Sequence, residues 1–219
     1  MTTLLISDTH GRHIYSDIND RKDLNMIIHC GDFTKSKRKG KEGLIDFLDW
    51  YCSLQIEHKI FIAGNHDSLF DLNFEEAITI LKEKNKEFNT NVIYLQDSSV
   101  IINGVKFYGS PWSPTYHRWN FQKDESDLKD IWDKIPKDTN VLITHTPPHT
   151  ILDKTLNNRT VGSKTLLRKI KELKSLKFHF FGHIHEAKGR IIEDNVTFIN
   201  SSDDCLNKYH IEKVNIIDI

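Results

Sequence analysis

Phe178-His179-Phe180-Phe181-Gly182-His183-Ile184-His185 is the stretch from which the fold can be read. An apolar run stops at a glycine, and two histidines follow at i and i+2. Runs of four to six residues rich in Ile, Val and Phe, bounded by turn residues, read as buried strands. On an extended strand end, residues i and i+2 face the same side. Four other stretches repeat the arrangement. Residues 3–7 run into Asp8-Thr9-His10, residues 25–30 into Gly31-Asp32, residues 59–63 into Gly64-Asn65-His66-Asp67, and residues 141–144 into His145. Helix-length stretches lie between them. Leu44, Phe47, Leu48 and Tyr51 recur at i, i+3, i+4, i+7 and predict an amphipathic helix, as do residues 74–88 and 163–173.

Two hairpin signals break this alternation. Residues 100–102 and 105–108 flank an Asn103-Gly104 turn, and residues 190–192 and 196–199 flank Glu193-Asp194-Asn195. Residues 210–219 supply a further alternating strand. Parallel βα units followed by antiparallel strands predict an α/β architecture of two packed mixed sheets with helices outside. No repeat, low-complexity tract or linker interrupts the chain, so residues 1–219 read as a single domain.

The chain has 219 residues, with 30 Lys+Arg against 31 Asp+Glu, a formal net charge of -1, and 38% hydrophobic residues. That composition excludes a disordered acidic tail and a strongly basic nucleic-acid module. No apolar run approaches the ~20 residues that span a bilayer, so no membrane association is expected. The N-terminus meets Asp8 after three apolar residues and lacks the basic region of a signal peptide. Cys30, Cys52 and Cys205 form no CxxC pair, which argues against a disulfide framework or a thiolate zinc site. A cytoplasmic location is the expectation. Against three cysteines stand 12 histidines.

In open α/β sheets, functional residues gather at the carboxyl ends of strands. Here those ends carry Asp8, His10, Asp32, Asn65, His66, His145, His183 and His185. Carboxylate, imidazole and one amide, with no thiolate, suit Mn, Fe or Zn better than Mg or Ca. So many potential ligands exceed what one ion needs. One Asp can bridge a pair of ions ~3.5–4 Å apart, the spacing used for in-line phosphoryl displacement. Singly, each residue has a bland alternative: a hydrogen-bonded structural histidine, or an aspartate capping the next helix. Five such strand ends together favour a two-metal site.

The ordered set Asp8-Thr9-His10, Gly31-Asp32, Gly64-Asn65-His66-Asp67, His145 and Gly182-His183-Ile184-His185 resembles the calcineurin-like metallophosphoesterase superfamily, whose pattern is DxH, GD, GNH[DE], H, GHxH. The resemblance implies a four-layer α/β/β/α sandwich holding two divalent metal ions, with Mn favoured and Fe, Zn or Co as alternatives. It implies that Asp8, His10 and His185 ligate the first metal, that Asn65, His145 and His183 ligate the second, and that Asp32 bridges. It also implies that His66 stands beside the substrate phosphate and protonates the leaving oxygen, while a hydroxide generated between the metals attacks phosphorus in line. For Asp67 two uses remain open: orienting the His66 imidazole, or closing a turn.

Departures from the pattern narrow the branch. Phe33-Thr34 follows Asp32 where Ser/Thr protein phosphatases have Asp-Arg-Gly. The absence of a secretory signal disfavours purple acid phosphatases, and no capping domain like that of the DNA-repair nucleases is expected after the last histidines. Ser7-Asp8-Thr9-His10, Gly31-Asp32-Phe33-Thr34, Gly109-Ser110-Pro111-Trp112-Ser113-Pro114, His145-Thr146-Pro147-Pro148 and Gly182-His183-Ile184-His185-Glu186 resemble the small metallophosphoesterase-domain-containing proteins related to brain cyclic-nucleotide phosphodiesterases. A small phosphoester or nucleotide substrate is therefore expected, with no extended nucleic-acid binding. A nuclease and a non-catalytic scaffold of the same fold are the alternatives.

Trp112 and His149 are candidate substrate contacts in the two proline-stiffened loops. Tyr116, His117 and Trp119 either wall the pocket or pack the loop onto the body, and packing is the favoured reading for Trp119. Residues 35–41 form a basic run that is either a solvated loop or an electrostatic guide for phosphorylated substrates. His13, His29, His58, His179 and His210 read as structural.

Overall fold

The computed structural model describes residues 1–13, 18, 21–35, 40–202 and 215–219. Its elements in chain order are β1 (Thr2–Ile6), β2 (Met26–His29), α1 (Gly40–Ser53), β3 (His58–Phe61), α2 (Ser68–Leu72), α3 (Phe74–Glu87), β4 (Val92–Tyr94), β5 (Ser98–Ile102), β6 (Val105–Ser110), β7 (Ser113–Pro114), β8 (Gln122–Lys123), α4 (Glu125–Trp132), β9 (Val141–Thr144), α5 (Lys164–Glu172), β10 (Phe178–Phe181), β11 (Gly189–Glu193), β12 (Val196–Asn200) and β13 (Ile216–Asp218). Most of the expected elements form where the apolar periodicity puts them, including both hairpins. Five were not anticipated: α2, α4, β4 and the two-residue strands β7 and β8. Of the strand expected over residues 210–219, the described part is β13. His210, Cys205 and residues 36–39 of the basic run lie outside the described residues.

Strands order as β13-β1-β2-β3-β4 in one sheet and β11-β12-β10-β9-β6-β5 in the other. Within the first, β1 to β4 are parallel and β13 is an antiparallel edge. Within the second, β12, β10, β9 and β6 are parallel, and the hairpin partners β11 and β5 close the two edges antiparallel. Alternation along each strand divides the side chains between faces. Leu5, Met26, Ile28, Ile60 and Ile62 of the first sheet meet Phe107, Val141, Ile143, Phe180 and Ile199 of the second in a shared buried layer. The opposite face of the first sheet packs on α1, α2 and α3 through Leu44, Phe47, Tyr51, Phe70 and Leu81. The opposite face of the second packs on α4 and α5 through Leu128, Trp132, Leu166 and Ile170. The layering is the α/β/β/α sandwich expected from the sequence.

Local chemistry sets the helix ends. Ser163 caps α5 by accepting the Leu166 N–H, and Asn73 caps α3 through the Glu76 N–H. Such caps satisfy one of the donors that a helix start leaves unpaired. The Tyr51 hydroxyl, buried beneath α1, lies 2.7 Å from the Ile60 carbonyl and 3.0 Å from that of Ile27, which fixes the helix over β2 and β3.

Phe47 is the centre of the helical layer, stacked on Phe33 at 4.2 Å and on Tyr51 at 4.9 Å between ring centroids. Phe33 directly follows Asp32, so this packing also supports a metal-ligand candidate. Phe47→Ala is expected to cost about 3–5 kcal/mol, read as a lowered urea midpoint. A loss under ~1 kcal/mol would show that the layer repacks around the gap.

Candidate metal centre

All parallel strands of both sheets point their carboxyl ends to one edge, and the donor residues stand on the loops that leave it. Asp8 leaves β1, Asp32 leaves β2, Asn65 and His66 leave β3, His145 leaves β9, and His183 and His185 leave β10. Backbone bonds hold these loops in register: Asp8 N–H donates to the Gly31 carbonyl at 2.9 Å, and Gly182 N–H to the His145 carbonyl at 3.1 Å. The sheets are joined across the site by the His183 N–H, which donates to Asp8 Oδ2 at 3.0 Å.

Four donor residues adopt left-handed backbone: Asp8 (φ 57°), His10 (φ 47°), Asp32 (φ 57°) and His183 (φ 71°). Asp and His tolerate this region better than most residues, and such clustering accompanies functional sites. Gly31, at φ 99°, has a separate reason. A Cβ there would lie 2.7 Å from both the Ala63 carbonyl oxygen and His145 Nδ1.

The side chains converge in three overlapping groups. Asp8, His10 and His185 each offer an atom within 4.8 Å of the others, and so do Asp32, His145 and His183; His10, Asp32 and His66 form a third set between them. Asn65 joins the second group, its Oδ1 3.0 Å from His145 Nε2. His183 Nδ1 lies 3.2 Å and Asp32 Oδ2 3.4 Å from that same nitrogen. His145 Nδ1 lies 3.0 Å from the Cys30 carbonyl, which accepts its proton and orients the ring with Nε2 toward the cluster. Asp8 Oδ1 is buried, and the described residues offer it no well-aligned hydrogen bond, only an ion pair with His185 Nε2 at 3.4 Å. A buried carboxylate oxygen needs compensating charge or donors. It fits a divalent cation, as does the mixed oxygen and imidazole donor set.

The charges shape each other. Burial pushes the Asp8 carboxyl up, but His185, His145 and His10 outweigh it and hold the group well below the usual range. Asp32 is likewise held low against burial, chiefly by His145. Burial would lower His145, yet the Asp32 and Asp8 carboxylates bring it up to about 9. His183 moves the other way, to about 4, through burial and the neighbouring His145 charge.

His66 stands beside this cluster, its Nε2 3.8 Å from Asp32 Oδ2. Trp119 stacks on its ring with centroids 4.3 Å apart and planes 27° apart, and His10 meets it edge-on at 4.5 Å. Trp119 therefore packs on a site residue, contrary to the sequence reading that favoured packing onto the body. Asp67 takes the loop-closing use of the two open to it. Its Oδ2 accepts the N–H groups of Asp32 and Gly64, each at 2.8 Å, and its Oδ1 accepts both the N–H and the hydroxyl of Thr34 at 2.8 Å. His66 Nδ1 is buried and has no hydrogen-bond partner among the described residues.

The substrate-contact candidates each have a partner of their own. The Trp112 indole N–H donates to Asp97 Oδ2 at 2.8 Å, and Lys123 lies over the ring at 5.1 Å. His149 Nε2 is 3.2 Å from the Thr160 hydroxyl. A cavity of about 540 Å³ does open beside His183, but its walls are Pro114, Tyr116, Arg159, Val161 and Ile184. Of the histidines read as structural, His29 and His179 are fully buried, and burial lowers each to about 3. Sequence reasoning also missed Asn120, whose side-chain amide donates to the Asn65 carbonyl at 3.2 Å. Its only sequence signal is proximity to the aromatic loop.

Residues 1–187 match the model of the Calcineurin-like phosphoesterase family, and the chain belongs to that family. It is 34% identical to the human (Homo sapiens) "Metallophosphoesterase domain-containing protein 1", over 98% of this chain and 69% of the relative. Among solved structures, TT1561 of Thermus thermophilus superposes with a TM-score of 0.66 at 14% identity, covering 92% of this chain and 89% of that one. A dimetal phosphatase from Danio rerio gives 0.55 at 12% identity, covering 91% and 86%. At those identities the structures speak for the fold alone. Among the described residues, no helix is long and apolar enough to cross a membrane.

Because His145 is brought up to about 9, it carries a proton on Nε2 at neutral pH in the metal-free protein. A metal ion must displace that proton. Binding at pH 7 is therefore expected to release about one proton or more, and affinity should rise with pH until about 9 and then level off. Titration calorimetry in two buffers of different ionisation enthalpy measures this directly. Zero proton release would contradict the charge state derived for His145.

Proposed function

We propose that this chain is a dinuclear-metal-dependent phosphoesterase that hydrolyses small phosphodiesters, cyclic nucleotides among them, or phosphomonoesters. The observation that carries this reading is the overlapping three-residue donor groups meeting at one edge, His66 among their members, with a cavity next to His183. Asp8, His10 and His185 would hold one cation and Asn65, His145 and His183 the other, with Asp32 between them. When bound, two divalent cations supply Lewis-acid activation of water and neutralise phosphate oxygens. Manganese is the first metal to test, with Fe, Zn and Co as alternatives, and the cytoplasm is the proposed compartment.

The chain's own residues supply the rest. Asp8 and Asp32 are deep, 0% and 2% exposed, so their charge acts in a poorly screened setting. They stay ionised because the surrounding histidines hold them low. His66 is partly open to solvent, and the proposed role of its Nε2 is to protonate the departing oxygen, because expelling an unneutralised alkoxide is slow. The cavity beside His183 suits the organic part of the ester. Its walls combine the Tyr116 ring, the apolar Val161 and Ile184, and the Arg159 guanidinium. Arg159 gives the cavity a cation that can pair with a second anionic or acceptor group on the substrate.

The deciding experiment is metal analysis joined to a panel of 3′,5′- and 2′,3′-cyclic nucleotides, bis-p-nitrophenyl phosphate, phosphomonoesters and oligonucleotides, with Mn²⁺ added. Turnover of small esters supports the proposal, and preference for oligonucleotides would replace it with a nuclease. Neither metal nor turnover would leave a scaffold. His66→Ala is expected to keep its metal and lose about 10²-fold or more in kcat. Full activity on good and poor leaving groups alike would remove the proton-donor role.

A further inference from the structure

We propose that Trp119 is the positioning residue for the His66 imidazole, an inference that rests on the proton-donor reading of His66. A histidine that delivers a proton must present one nitrogen in a fixed direction. The common device is a carboxylate or carbonyl bonded to the other ring nitrogen. Among the described residues His66 lacks it: Nδ1 is buried with no hydrogen-bond partner. The adjacent carboxylate, Asp67, is already committed to the N–H groups of Asp32, Thr34 and Gly64.

Ring contacts take over that task. The half-buried indole of Trp119 stacks on one face of the imidazole with centroids 4.3 Å apart, while His10 stands edge-on to it at 4.5 Å. A flat surface against the ring blocks the rotation that would swing Nε2 away from Asp32 and the donor cluster. Stacked geometry of this kind is directional as well as apolar.

Trp119 is itself fastened to the backbone that carries His66. The Asn120 N–H donates to the Asn65 carbonyl at 3.3 Å, and the Asn120 side-chain amide donates to the same oxygen at 3.2 Å. One residue on, the Phe121 N–H donates to Asp71 Oδ2 at 3.3 Å. The indole and the imidazole are thus tied to adjacent points on one loop, and their relative placement is set locally.

A double-mutant cycle on the metal-loaded enzyme tests this, using methyl p-nitrophenyl phosphate and methyl phenyl phosphate. Phenol, with a pKa of about 10 like the tyrosine side chain, needs protonation as it leaves far more than p-nitrophenol does. Trp119→Leu is expected to lose about tenfold more kcat on the phenyl ester than on the nitrophenyl ester, and Trp119→Phe to recover most of the difference. In a His66→Ala background, Trp119→Leu should add no further loss on the phenyl ester. Equal losses on both esters, or a loss that persists in the His66→Ala background, would overturn the inference and leave the proton-donor reading intact. Equal losses on both esters from His66→Ala itself would sink both. If Trp119→Leu fails to fold or to hold metal, Trp119→Met and Trp119→Tyr run through the same cycle and are judged by the same two criteria.

Discussion

Two carboxylates, Asp8 and Asp32, are buried side by side at the meeting of two sheet edges, and much of the surrounding structure answers that constraint. Taking an ionised carboxylate out of water costs several kcal/mol unless charge and hydrogen bonds replace the lost hydration. The compensation comes from both sheets. Asp8 accepts the His183 N–H across the sandwich, and Asp32 accepts the His66 N–H at 2.7 Å. Histidines from β9 and β10 supply the positive charge that keeps both groups ionised. The left-handed turns at Asp8 and Asp32 are part of the same solution, since they turn each carboxylate inward immediately after its strand.

Around that centre the backbone does much of the organising. Asp67 gathers N–H groups from the loop after β2 and from its own loop after β3, so one side chain holds the Asp32 turn and the Gly64 turn together. Burial and the Asp32 charge push the Asp67 carboxyl up to about 7, while the amides of Thr34 and Gly64 pull against them. Cation binding at Asp32 would remove part of the upward push and strengthen the clamp. The loop carrying Trp119 and Asn120 adds a second fastening, reaching the loop after β3 from the far side of β7.

Most of the donor set was legible in the sequence, and the reason is physical. Asp8, His10, Asp32, Asn65, His145, His183 and His185 sit where short apolar runs stop, and a parallel sheet sends those stops to one edge. Sheet layering followed from the same runs. What escaped reading depends on contacts between loops distant in sequence. Trp119 lies 53 positions from His66, and no local pattern distinguishes an indole that stacks on an imidazole from one that fills a core. Asp67 was ambiguous because a carboxylate after histidine serves either neighbour equally well on paper. Helix α4 was missed because Leu128, Ile131 and Trp132 are its only buried residues among eight. Trp112 shows the same limit, since an aromatic in a proline loop is as readily a brace as a wall, and here its indole is bonded to Asp97.

The division of the donor set between the sheets has a mechanical consequence. Asp8, His10, Asp32 and Asn65 belong to one layer, and His145, His183 and His185 to the other. A cation bound by both sets acts as a rivet through the sandwich, because separating the layers destroys its coordination shell. Its binding free energy is therefore added to the docking of the sheets, about 2.7 kcal/mol when free metal stands at ~100 times the Kd. The His183 N–H bond to Asp8 already aligns the two sheet edges, and a cation held by both half-shells would lock that same alignment.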